Sequence, residues 1–213
     1  MNTLAACALS AVIGYLLGTL NPAYLYAKLR GIDIHDAGTG NPGASNTMIL
    51  FGWVPGVAVG ALDILKAAAA VLICGVLFPA PPLCRHIAGA AAILGHLFPF
   101  YLQFRGGKGF APCMGAVFAL SWKLGLVVGV LVIVTVLLTD YMALAAMVAA
   151  FSYPIYGAVT ARYLPAAILL VAAVFMLIRH RKNFARIRAG TEVGLRRANR
   201  GELRVDRPQE KQP

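Results

Sequence analysis

The chain has 213 residues, 60% of them hydrophobic and only 13% charged, with a mean hydropathy of +0.75 and a formal net charge of +11. A soluble domain carries about 25% charged residues, so this chain cannot cover a water-facing surface and reads as an all-α, polytopic integral membrane protein. The positive charge does not point to nucleic acid, because the basic residues have no aromatic interleaving and no recognisable binding motif.

In chain order, apolar stretches fall near 4–27, 62–79, 84–102, 109–121, 124–139, 142–159 and 163–179. A full crossing needs about 20 apolar residues, with a lower limit of about 17. The pattern predicts about seven transmembrane helices, with five or six full crossings as the alternatives. The fourth stretch is short enough to be tilted, interfacial or re-entrant. The first has no basic segment ahead of it and runs past any cleavage site, so it reads as a retained helix rather than a secretory signal. Residues 47–61 form a half-length segment, broken by Pro55, that would dip in ahead of the second crossing. Its Gly52, Gly56, Gly60 series would pack closely on another helix, of the same chain or of a second subunit. Residues 1–195 form a single transmembrane domain; 196–213 are polar, charged and contain two prolines, and read as a disordered basic tail.

Lys and Arg set the orientation. Lys28, Arg30, Arg105, Lys108 and eleven basic residues from Arg179 onward fall on one side, against Arg85, Lys123 and Arg162 on the other. The N-terminus is therefore expected outside, and the polar loops and C-terminus in the cytoplasm, where basic residues suit anionic lipid head groups. Cys7, Cys74, Cys84 and Cys113 have no C-x-x-C spacing and no His partners, so neither a metal site nor a disulfide is expected.

Four polar, glycine-rich islands interrupt this apolar chain: 33–46, 63–66, 104–109 and 180–192. Polar groups persist at the membrane when they contact something polar. In the first, Gly38, Gly40 and Gly43 match G-x-G-x-x-G, but a helix rather than a strand precedes them, which excludes the dinucleotide-binding reading. The local physics remains: glycines let backbone N–H groups approach a ligand, and Thr39, Asn41, Ser45 and Asn46 add short donors. In the third, Gly106, Gly107 and Gly109 flank Lys108 and suggest an anion-binding nest, with the helix that starts at Gly109 aimed at the same place. In the fourth, His180, Asn183 and Arg186 share a helix face, Gly190 ends the helix, and Glu192 follows. Asp63 and Lys66 are three apart and face the same way. If the islands make one phosphate-gripping pocket, the side chains of Lys108 and Asn183 must meet.

These residues resemble the acyl-phosphate-dependent glycerol-3-phosphate acyltransferases of bacteria, the PlsY family, from Gly18 to about Glu192 in matching order. The family's G-S-G-N-x-G-A-T-N is similar to Gly38 through Asn46. Its D-x-x-K corresponds to Asp63 and Lys66. Its G-H-x-x-P and F-K-G-G-K-G-x-A correspond to Gly95, His96 and Pro99 and to Phe104 through Ala111. Its R-H-x-x-N-x-x-R-x-x-x-G-x-E corresponds to Arg179, His180, Asn183, Arg186, Gly190 and Glu192.

The resemblance implies a seven-helix inner-membrane enzyme that moves a fatty acyl group from acyl phosphate to the 1-hydroxyl of glycerol 3-phosphate. Lysophosphatidic acid and phosphate are the implied products. It implies His180, Asn183, Lys108 and Thr39 as catalytic residues. Gly38, Gly40, Asn41, Gly43, Ser45, Asn46, Asp63, Lys66, Gly106, Gly107, Gly109, Arg186 and Glu192 would bind substrate. No metal or cofactor is implied, the partners are the two substrates and membrane lipids, and a monomer is expected. His180 could be the general base; in the family the substrate's own phosphate takes the proton and the histidine positions. Some positions depart from the family. Thr39 stands for a usual serine, Ile49 and His35 for usual arginines, Ala143 for a serine and Ala67 for a glycine. Loss of a charge-assisted hydrogen bond at 49 removes about 1.5–3 kcal/mol. A different acceptor, or a non-catalytic lipid-binding role, are therefore the alternatives.

Overall fold

A computed structural model describes residues 2–194; the basic tail expected over 196–213 lies outside the described residues. The described residues form α1 (Thr3–Thr19), α2 (Pro22–Leu29), α3 (Ala44–Phe51), α4 (Trp53–Leu77), α5 (Leu83–Leu97), a 3-10 turn (Phe100–Leu102), α6 (Phe110–Leu120), α7 (Trp122–Thr139), α8 (Met142–Val159) and α9 (Tyr163–Arg188). Among the described residues six helical stretches are long and apolar enough to cross a membrane: Thr3–Leu29, Trp53–Leu77, Leu83–Leu102, Trp122–Thr139, Met142–Val159 and Tyr163–Arg188. The seventh apolar helix, α6, has 11 residues, about 16 Å of rise against a hydrocarbon core of about 30 Å. It is sheltered: Cys113, Met114, Ala116 and Val117 are buried in a core shared with α5, α8 and α9. By contrast α7 buries only Gly125 and Val128 and presents its Leu, Val and Ile side chains outward, as a lipid-facing helix does.

Two boundaries differ from the expectation. The first apolar stretch is not one helix. Pro22 has no N–H and cannot continue α1, so the chain turns at Leu20, and Asn21 caps α2 by accepting from the Tyr24 N–H at 2.8 Å. The segment over 47–61 is not a separate half-length dip either. Pro55 lies in the first turn of α4, where a missing N–H costs nothing, and the helix runs 25 residues from Trp53. What the sequence read as a break is a helix start. Gly52, at φ +95°, folds α3 back on α4. A side chain on Gly56 would meet Met48 at 2.6 Å and one on Gly60 would touch Ala44, so the glycine series packs within this chain.

Small residues also let α1 and α5 approach backbone to backbone. A Cβ on Gly14 would come 2.3 Å from the Ala88 carbonyl oxygen, on Gly18 2.2 Å from that of Ala92, and on Gly95 2.3 Å from that of Tyr15. The paired positions rise together, so α1 and α5 run parallel. This seam fixes the ends of α1 and α5, which lead through α2 to the polar loop at 33–43 and through the 3-10 turn to that at 103–109.

Candidate functional site

The first polar loop is held from inside by the buried side chains of Asn46 and Asn21. Asn46 is fully buried. Its Oδ1 accepts from the Thr39 N–H at 2.7 Å, and its Nδ2 donates to the carbonyls of Ala37 at 3.0 Å and Ile34 at 3.3 Å. Gly38 and Gly40 take positive φ, +60° and +67°, which a side chain resists; at Gly38 a Cβ would also strike Asn46 Oδ1 at 2.3 Å. Asn46 thus shapes the loop, and its hydrogen-bonding groups are occupied in doing so. Thr39 is exposed on the loop and Ser45 in the first turn of α3, while Asn41 is half-buried and Gly43 is buried. Pro42 is anchored through its carbonyl by Asn21 Nδ2 at 3.2 Å.

The 103–109 loop corrects the expected nest. The N–H groups of Gly106 and Gly107 donate to the carbonyls of Leu97 and His96, both at 3.0 Å, so they are not available to an anion. Glycine is required there for another reason. A Cβ on Gly106 would lie 2.0 Å from the His96 carbonyl oxygen, and one on Gly107 2.1 Å from His96 Nε2. The loop carbonyls are used as well: Arg179 donates to those of Gly106 and Gly107. Gly109, at φ +89°, ends the loop and starts α6, as the sequence suggested.

From this loop Lys108 reaches the last helix. Lys108 Nζ donates to Asn183 Oδ1 at 2.8 Å, and Asn183 Nδ2 donates to Glu192 Oε1. Arg186 Nε pairs with Glu192 Oε2 at 2.5 Å. The two side chains required to meet do so, through a chain that spans the third and fourth islands. Gly190, at φ +68°, turns the chain so that Glu192 folds back: the Gly190 N–H donates to the Ile187 carbonyl and the Thr191 N–H to the Arg186 carbonyl, a Schellman ending. One turn before Asn183, buried His180 donates from Nδ1 to the Met176 carbonyl at 2.8 Å, which leaves Nε2 as the lone-pair nitrogen of the neutral ring. Burial, reinforced by Arg186 and Arg179 and opposed by Glu192, pulls the Lys108 ammonium down to about 8.

Between the two loops lies a cavity of about 310 Å³ lined by His35, Gly40, Pro42, Arg105, Gly106 and Arg179. His35 bridges the walls, donating from Nε2 to the Arg105 carbonyl at 2.8 Å, with Nδ1 3.3 Å from Asp33 Oδ1. The cavity's cations therefore come from Arg105 and Arg179. Arg30 stacks over Tyr26, Arg186 is paired with Glu192, and Ile49 is half-buried on α3. Sequence reasoning did not place Arg179 or His35 in a site. The position of Arg179 directly before His180 was the available signal.

Asp63 and Lys66 do not line this cavity. They are buried between helices, with Lys66 Nζ 2.6 Å from Asp63 Oδ1 and 3.0 Å from His96 Nδ1. Among the described residues no group of three or more His, Cys, Asp or Glu side chains is placed to hold a metal ion.

Known proteins share this sequence and fold. A family model described as glycerol-3-phosphate acyltransferase matches residues 8–190. The glycerol-3-phosphate acyltransferase of Thermotoga petrophila is 36% identical over 85% of this chain and 92% of its own. That of Mesorhizobium japonicum is 37% identical over 86% and 93%. Crystal structures of PlsY, an integral membrane glycerol 3-phosphate acyltransferase, match with 31% identity over 88% of this chain and 94% of theirs. The TM-score is 0.82 for the glycerol 3-phosphate form and 0.79 for the lysophosphatidic acid form.

Proposed function

The chain belongs to the glycerol-3-phosphate acyltransferase family, and from that membership and the site geometry we propose how it works. It is an integral membrane acyltransferase that acylates the 1-hydroxyl of glycerol 3-phosphate, and the donor is an acyl phosphate. The observation that carries this reading is the Lys108–Asn183–Glu192–Arg186 chain standing beside a cationic cavity between two glycine loops.

An acyl phosphate is a mixed anhydride with a good leaving group, so its transfer demands placement more than acid catalysis. The hydroxyl oxygen attacks the acyl carbon, the carbon–oxygen bond to phosphate breaks, and phosphate leaves with the electron pair and the hydroxyl's proton. Lys108 neutralises phosphoryl charge, and Asn183 with Glu192 fixes the direction of its ammonium. His180 Nε2 accepts a hydrogen bond from the attacking hydroxyl and orients it. Thr39 and Asn41 of the first loop and Ser45 of α3 face phosphate, with Arg105 and Arg179 opposite. Gly38, Gly40, Gly43, Gly106, Gly107, Gly109 and Asn46 give the loops their shape. The protein works as a monomer in a bacterial inner membrane, N-terminus outside and site cytoplasmic.

Purified protein given palmitoyl phosphate is expected to release phosphate only when glycerol 3-phosphate is added. Release dependent on another alcohol instead, or none with any acceptor, would overturn the assignment. The pH dependence has a defined sign. An ordinary lysine keeps its charge to about pH 10, whereas Lys108 loses its proton as pH rises through about 8. Anion binding therefore weakens on the alkaline side, and kcat/KM is expected to fall above about pH 8. A bound phosphate dianion favours the ammonium, so kcat at saturating substrate should hold to higher pH. Lys108→Arg should remove the alkaline limb from a kcat/KM profile; a limb left in place would exclude Lys108 as its source.

A further inference from the structure

We propose that Asp63, Lys66 and His96 form a buried positioning network that sets the separation of the cavity's two walls, with His96 buttressing the loop that carries Lys108. One wall is Pro42 with Gly40, the other Gly106 with Arg105. Both trace back to the same ammonium.

Toward the first wall, Lys66 Nζ donates to the Leu20 carbonyl. That carbonyl is free to accept because α1 ends there, before Pro22. The next residue is Asn21, whose Nδ2 holds the Pro42 carbonyl. The neighbouring Thr19 carbonyl is held in turn by the Tyr101 hydroxyl at 2.6 Å, so the corner is tied on both sides.

Toward the second wall, Lys66 Nζ lies 3.0 Å and Asp63 Oδ1 3.3 Å from His96 Nδ1, which fixes the ring's orientation. The far side of that ring abuts Gly107: a Cβ there would sit 2.1 Å from Nε2 and 2.7 Å from Cε1. The His96 carbonyl accepts the Gly107 N–H, and Arg179 closes on the Gly107 carbonyl from the opposite side. Gly107 is therefore clamped between the His96 ring and Arg179, one residue before Lys108. Asp63, Lys66 and His96 are 2%, 8% and 3% exposed, too deep to touch a substrate in the cavity. Their effect on the reaction is exerted through the backbone they hold.

A buried ion pair that served only to neutralise itself could be replaced by apolar residues at little cost in stability. Asp63→Leu/Lys66→Met makes that replacement and should melt within about 5 °C of the wild type. Hydrogen–deuterium exchange of the amides in 38–43 and 104–109 is expected to rise at least about tenfold, reporting loosened walls. The KM for glycerol 3-phosphate should rise about tenfold with a smaller change in kcat. The kinetic arm rests on the acyltransferase reading, but the exchange arm needs no turnover. An inactive wild type with faster exchange in the variant would count against the reaction and for the network. Unchanged exchange in both loops overturns the network.

Should the double variant fail to fold, His96→Asn decides. It keeps an acceptor near the Nδ1 position but removes the ring edge against Gly107. Exchange should then rise in 104–109 and not in 38–43; protection equal to the wild type in 104–109 overturns the proposal.

Discussion

Lys108→Met is expected to lower kcat/KM for glycerol 3-phosphate by about three orders of magnitude while the melting temperature stays near that of the wild type. Removing one preorganised donor aimed at developing charge costs about 10²–10³ in rate. Lys108 in addition supplies a whole charge in a half-buried setting. Its hydrogen bond goes to Asn183, at 2.8 Å, at the edge of the fold, so little of the stability depends on it. The ammonium is also poorly solvated where it stands, which is why burial pulls it down to about 8. A phosphate that relieves that penalty gains more than it would from a surface lysine. Lys108→Arg should recover part of the loss but not all, because a planar guanidinium cannot occupy the ammonium's position against Asn183 Oδ1. Initial rates of acceptor-dependent phosphate release measure this; a Lys108→Met rate within tenfold of the wild type would remove Lys108 from the reaction.

The second large effect comes from a single methyl group. Gly107→Ala is expected to reduce kcat/KM about 100-fold, because the new Cβ would lie 2.1 Å from His96 Nε2. The ring cannot rotate away easily, since Lys66 and Asp63 hold its other edge. The loop must move instead, and a displacement of about 1 Å at a reacting group is enough for a loss of that size. Gly129→Ala is the matched control. That glycine lies in α7, where nothing stands within 4 Å of an added Cβ, so activity should be unchanged. Equal behaviour of the two variants would refute the steric argument.

Much of this was legible before any coordinates. The apolar stretches located the long helices because the 3.6-residue period and the thickness of a bilayer leave few other uses for them. The motif spacing around Lys108, His180, Asn183 and Glu192 pointed to one site, since His, Asn and Arg three apart on a helix share a face. Gly190 was readable as a helix ending for the same local reason.

The errors were errors of scale. Pro55 looked like a break because a proline in an apolar run removes a donor, yet at the first turn of a helix that donor has no partner in any case. Gly106 and Gly107 looked like an anion nest because glycine permits close approach; what approaches them is His96, thirty-odd angstroms of chain away in an extended sequence but adjacent in the fold. Asp63 and Lys66 stood as substrate ligands through the family resemblance alone. They pair with each other, with His96 and with the Leu20 carbonyl.

Composition and short-range periodicity, then, determined the membrane class, the helices and the residue types able to handle phosphate, because these follow from burial and from contacts within a few residues. Tertiary structure alone decided which backbone donors remain free, which charges face the cavity and which are sealed behind it. Those outcomes depend on contacts such as Lys108 to Asn183 and His96 to Gly107, where groups distant in sequence compete for the same few hydrogen bonds and the same space.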